Sequence, residues 1–195
     1  IVKKEKYLGS KIPKDIDKIK EEFNKELKEK LHKKFERIKE HFQDEWKKIP
    51  ESAKEKELEA ISIAFTYNTN AIEGSTITLE EVREIIKENM APNKPLRDIK
   101  ETEAHNKVFL NMLKKKEKIT NSLLLKWHKE IFGETKPDIA GKYRDYLVRV
   151  GPYLAPDWQE VAQRINKLIG FINKSKLNPV ELSARAHYKF ESIHP

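Results

Sequence analysis

The side chains able to carry protons or hold a metal are few in this chain of 195 residues: it has no cysteine and six histidines. Without cysteine, disulfides, zinc–thiolate and iron–sulfur sites and thiol nucleophiles are excluded. His32 and His41 fall on opposite faces of one helical segment. His187 and His194 share a face only if helix runs through both. Neither pair has a third histidine in register, so no metal site is expected. His105 and His128 stand alone on amphipathic segments and read as packed or half-exposed side chains. No complete glycine-rich phosphate loop, G-x-S-x-G elbow or paired-carboxylate motif is present. Two short strings remain: Thr69-Asn70-Ala71-Ile72-Glu73-Gly74, and Ile193-His194-Pro195 after an apolar helix. A glutamate at the end of a helix opposes the helix dipole, which favours a functional reason for Glu73. An imidazole is the side chain best suited to accept a proton near neutral pH, the chemistry available to His194.

The elements that must position these residues are legible as periodicity. From Ile16 to Ile49 apolar residues recur every third or fourth position, predicting one long amphipathic helix over about 13–50, opened by Pro13 and stopped by Pro50. The stripe averages closer to 3.7 than 3.5 residues per turn, a poor match to a heptad coiled coil, and it is expected to pack along the chain's own core. A second helix is predicted from Glu51 to Glu73, with Gly74 as its left-handed stop. Thr78 and Glu81 form a capping box ahead of an apolar run. Further helices are predicted over about 98–114, over Asn121–Phe132 with Thr120 or Asn121 as cap, over 161–173, and from Asn178 with Pro179 at the first position. Between them, 133–157 is punctuated by glycine and proline. Its segment Tyr146-Leu147-Val148-Arg149-Val150 is strand-like, so a short β-hairpin is expected there. The class is therefore all-α with one small hairpin: an N-terminal helical arm over 1–57 and a helical core over 58–195.

Charge narrows the partners. The net charge is +8, but 40 basic residues are interleaved with 32 acidic ones, the pattern of solvated helix faces; nucleic acid is not the expected partner on that ground. The most apolar short stretch, 60–65, is far too short to span a membrane, and the charged start lacks the apolar run of a signal peptide, so the expected location is the cytoplasm.

The end of the chain, with His187, Phe190 and Ile193-His194-Pro195, resembles the beginning of the Fic family signature, HPFx(D/E)GNGRxxR. Ala140-Gly141-Lys142-Tyr143-Arg144, followed by Val148 and Val150, is similar to the family's entry into its hairpin flap. Thr69, Glu73 and Gly74 match its inhibitory motif, (S/T)xxxE(G/N), here at the end of a helix over about 58–74 ahead of the Fic core. The resemblance covers roughly 58–195. It implies a protein adenylyltransferase, moving AMP from ATP with Mg2+ onto a hydroxyl of a target protein or of itself. His194 would be general base, Tyr146–Val150 would hold the target in extended form, and Glu73 would inhibit by occupying the second motif arginine, which otherwise grips the γ-phosphate. Only His194 and Pro195 of the signature are present, so the sequence is expected to be cut inside the motif, its phosphate- and metal-binding residues beyond Pro195 and the piece itself inactive. Removal of AMP, or transfer of another phosphate-containing group, remains open within the family. A non-enzymatic helical interaction module remains open outside it. Homo-oligomers are possible partners.

Overall fold

The computed structural model describes residues 5–195. The chain divides into two compact units between Lys54 and Glu55.

The first unit is dominated by α1, Ile16–Lys48, where the apolar periodicity puts it. Described by itself, α1 has no buried residue. Leu31, Ile38 and Phe42 on its apolar stripe are about half exposed. Its charged faces are laced by ion pairs three or four residues apart, such as Lys30–Glu26 at 2.6 Å, each open to solvent and weakly stabilising.

The second unit holds all but the first turn of α2 (Glu51–Ile72), then α3 (Leu79–Arg83), α4 (Leu96–Lys115), α5 (Asn121–Phe132), a two-stranded antiparallel hairpin of β1 (Arg149–Val150) and β2 (Tyr153–Leu154), α6 (Val161–Lys174) and α7 (Pro179–Ile193). Local chemistry sets the ends. Gly74, at φ +86°, closes α2 with Ser75 N–H donating to Asn70 O at 2.9 Å and Gly74 N–H to Ala71 O at 3.1 Å, a Schellman arrangement. Thr78 and Glu81 make the expected reciprocal capping box. Thr120 caps α5 through Leu123 N–H, and Asn178 caps α7 with Pro179 next to it.

Two apolar clusters hold the unit together. Ile63, Ile77, Val82, Ile85 and Ile99 join α2, α3 and α4. Val161, Ile165, Leu168 and Ile193 join α6 to α7, with Leu124 of α5 and Tyr143 packed against them. The hairpin pairs Arg149 with Leu154 and Val150 with Tyr153. Its turn is Gly151-Pro152; Gly151, at φ +56°, supplies the positive φ that a two-residue hairpin needs. The strand is shorter than the sequence pattern suggests: Tyr146, Leu147 and Val148 lie outside it.

Candidate functional site

One cavity of about 320 Å³ brings the two sequence strings together. Glu73, from the end of α2, and His194 with Pro195, from the end of α7, line it along with Leu124, Leu125, His128 and Phe132 of α5, Lys142, Tyr143, Phe190 and Glu191. Leucine and phenylalanine side chains alternate on the walls with the ionisable groups of Glu73, His128, Lys142, Tyr143, Glu191 and His194. That is the makeup of a site that binds a flat or mixed ligand and orients it by a few polar contacts.

His194 is set by the end of its helix. It is the residue after the last turn of α7, at φ 51° and ψ 64°, and its N–H donates to Phe190 O at 3.0 Å. A left-handed histidine is uncommon, and strained backbone of this kind concentrates at functional sites. The bend turns the chain out of the helix at the cavity wall.

Glu73 is exposed, and its carboxylate meets no cation among the described residues. Its backbone N–H donates to Thr69 O at 3.4 Å. Thr69, Glu73 and Gly74 also line a neighbouring hollow with Arg97, Asp98, Glu101, His105 and Lys136. The carboxylate therefore stands at the divide between two recesses.

A polar ladder holds the helix that presents Glu73. Ser62, Thr66 and Asn70 follow one another at intervals of four on α2, and Asp98, Thr102 and Asn106 do the same on α4. Asn106 Nδ2 donates to Ser62 Oγ at 3.0 Å and lies 3.5 Å from Thr66 Oγ1. Asn70 Nδ2 donates to Thr102 Oγ1 at 3.1 Å, which in turn donates to Asp98 O at 2.8 Å. Thr66 Oγ1 and His105 Nδ1 are 3.1 Å apart. Ser62, Thr66 and Thr102 are fully buried. Buried polar groups must be matched to be tolerated, and matched pairs fix one register of the two helices. Beside the ladder, Phe65 stacks on Phe109 at 4.0 Å between ring centroids and on His105 at 5.9 Å. Burial pushes the His105 pKa below its usual value, so the ring is neutral at pH 7.

His128, read from the sequence as a packed or half-exposed histidine, lies on the cavity wall. Gly141 N–H donates to its Nδ1 at 3.0 Å, which leaves Nε2 as the protonated nitrogen of the neutral ring. Burial, and then the Lys136 ammonium, lower its pKa. Gly141 sits at φ +74°, and a Cβ there would meet Lys129 Cβ at 2.9 Å and Leu125 O at 3.3 Å, so glycine is required for both conformation and space. The glycine in the 140–144 string was the one sequence sign of this arrangement, but nothing in the string names the histidine it serves. Burial also raises the Tyr143 pKa, keeping its hydroxyl protonated; that hydroxyl donates to Asn121 Oδ1 at 2.6 Å.

The flap segment presents an open edge. Tyr146, Leu147 and Val150 are about half exposed or more, as are Tyr153 and Leu154 near it. An exposed two-stranded edge is able to accept an added strand.

Comparison with known proteins follows the same lines. Residues 118–195 match the Fic/DOC family. A protein adenylyltransferase Fic from Nematostella vectensis is 32% identical over 137 residues, covering 66% of this chain and 32% of that protein. The chain thus spans about a third of the length of that relative. Among solved structures, Fic-1 from C. elegans superposes with a TM-score of 0.59 at 26% identity, over 72% of this chain and 44% of that one. A variant of the same protein superposes with a TM-score of 0.70 at 23% identity, over 93% and 57%, a likeness of fold.

Proposed function

The chain carries a Fic/DOC family domain over residues 118–195, and from that premise we propose that the whole protein is a self-inhibited adenylyltransferase acting on a hydroxyl of a target protein or of itself. The observation that carries this reading is the shared cavity of Glu73 and His194, residues far apart in sequence. In the reaction, the target hydroxyl oxygen attacks the α-phosphorus of ATP, the bond to the bridging oxygen of the β-phosphate breaks, and pyrophosphate leaves. His194 takes the hydroxyl proton. Its left-handed position at the helix end is a fixed backbone point from which the ring reaches the cavity. The exposed segment Tyr146–Val150, which leads into and includes β1, holds the target backbone extended beside that base.

Glu73 supplies the inhibition. An unmatched carboxylate on the cavity wall repels the phosphate chain of ATP and draws an arginine that would otherwise grip the γ-phosphate. Magnesium would neutralise the departing pyrophosphate, but no group of three or more metal-ligating side chains is present among the described residues, so nothing in the mechanism is routed through it. The protein is proposed to work in the cytoplasm, with itself as one substrate; among the described residues no helix is long and apolar enough to cross a membrane.

The test is incorporation of label from α-labelled ATP into full-length protein. Label that appears and is lost in His194→Ala supports the reading. Label whose release from protein requires Glu73 would instead assign removal of AMP to this site.

A further inference from the structure

Arg144 is a buried cation whose partners are all backbone carbonyls. It is 9% exposed. Its Nε donates to His194 O at 2.6 Å and its Nη1 to Tyr146 O at 2.8 Å. Its Nη2 donates to Pro156 O at 2.6 Å and lies 3.3 Å from Ile193 O. No carboxylate pairs with it among the described residues. A buried charge without a counter-ion is costly unless its donors are matched and a dipole opposes it. Both conditions hold here. Four donor contacts are made, and the carbonyls of Ile193 and His194 are at the end of α7, where the helix carries its partial negative charge and its last carbonyls lack intrahelical partners.

The positions of those carbonyls give the arrangement its meaning. Tyr146 and Pro156 stand on either side of the hairpin, whose base is closed by Ala155 N–H donating to Val148 O at 3.0 Å. Ile193 and His194 are the helix end and the proposed base. A second tie runs in parallel: Tyr153 of β2 donates its hydroxyl to Ser192 O at 2.5 Å. Three successive carbonyls, 192 to 194, are thus held by the hairpin and its stem.

We propose that Arg144 is a positioning residue that fixes the target-holding hairpin and the backbone of His194 in one register, so that an extended target strand arrives with its hydroxyl at the base. This rests on the adenylyl-transfer reading of the site. The planar fork of arginine is what the geometry requires: five N–H groups in one plane reach carbonyls on two sides at once. A lysine ammonium keeps the charge but reaches one cluster only. The same hold on His194 O keeps that residue in its left-handed conformation.

Arg144→Lys in the full-length protein tests the proposal by two readouts. Hydrogen exchange of the backbone is read first, and it does not depend on activity. The expected result is faster exchange in both 146–156 and 192–194, with α2 and α4 unchanged. Exchange that rises in only one of the two segments, or uniformly through the unit, overturns the coupling. The second readout is kinetic, in a Glu73→Gly background. The kcat for protein labelling is expected to fall at least tenfold, with ATP affinity within about twofold of the parent. A Tyr153→Phe variant, which removes only the tie to Ser192 O, is expected to move both readouts in the same direction by less. It serves as the test if Arg144→Lys does not fold. Unchanged kcat in a labelling-competent parent overturns the proposal. Absence of labelling in the parent itself overturns the adenylyl-transfer reading instead, and the exchange result then still decides whether Arg144 couples the two segments.

Discussion

Asn106 is the residue on which the α2–α4 ladder turns, and Asn106→Ala is the perturbation that weighs it. The side chain is 3% exposed and donates to Ser62 Oγ at 3.0 Å, with a weaker approach to Thr66 Oγ1 at 3.5 Å. Its loss strands no donor: Ser62 still donates to Glu59 O at 2.7 Å, and Thr66 keeps its contact with His105. The cost is therefore one good buried hydrogen bond, about 1 kcal/mol, plus a small void where the carboxamide was, together about 1.5–3 kcal/mol. For a unit of this size each kcal/mol lowers Tm by roughly 2–4 °C, so a drop of about 3–12 °C is expected in a thermal melt followed by circular dichroism. Asn68→Ala is the control. Asn68 is exposed on the same helix, its amide bonded only to Ala64 O at 2.7 Å within that helix, and alanine is the better helix former, so its Tm should hold or rise slightly. Because the ladder fixes the register of the helix ending at Glu73, Asn106→Ala should also raise labelling of the full-length protein at temperatures where it is folded, and Asn68→Ala should not. A shift under 1 °C for Asn106→Ala, or equal shifts for the two variants, would refute the reasoning.

Other outcomes follow from the same geometry. Burial holds His105 and His128 below the usual histidine value of 6.5, so the unfolded chain takes up protons first as pH falls. Stability should accordingly be level above about pH 6.5 and decline below it, and His105→Gln should flatten that decline in urea midpoints measured at pH 7.5 and 5.5. Gly141→Ala forces a side chain into positive φ and against Lys129, and should cost about 1–3 kcal/mol in chemical denaturation, against a few tenths for an ordinary exposed glycine. Thr78→Ala removes the side-chain half of the capping box, the 3.2 Å bond that Glu81 N–H donates to Thr78 Oγ1, and should lower stability by about 1 kcal/mol in the same assay.

The helices were legible because their signals are local. The Thr78–Glu81 box, the Asn178-Pro179 start and the Gly74 stop each act within a few residues, and the apolar periodicity of α5 and α6 sets their spans. The strings at Glu73 and His194 were legible for the same reason, but their meeting in one cavity was not, since it depends on how α2, α5 and α7 pack. The ladder was hidden in plain residue types. Ser62, Thr66 and Asn70 look like ordinary polar positions until Thr102 and Asn106 face them from another helix. His128 and Arg144 escaped for a related reason: each acts on a backbone group distant in sequence, the Gly141 N–H in one case and the His194 carbonyl in the other. The short reach of β1 has its own cause. Tyr146 offers its carbonyl to Arg144, which takes the chain out of the ladder before Arg149. Nor could periodicity tell whether the apolar stripe of α1 is covered, because a stripe reads the same in sequence whatever lies against it.

The most direct measurement of the central claim is self-labelling of the full-length protein with α-labelled ATP, in wild type, Glu73→Gly and Glu73→Gly/His194→Ala at matched folding. If the Glu73 carboxylate obstructs the phosphate chain in a cavity it shares with the base, Glu73→Gly should raise labelling by about ten- to a hundredfold, the worth of one charge-assisted hydrogen bond, and the double variant should return to background. Equal labelling by wild type and Glu73→Gly would contradict the inhibitory role of Glu73, and labelling that survives His194→Ala would contradict the site itself.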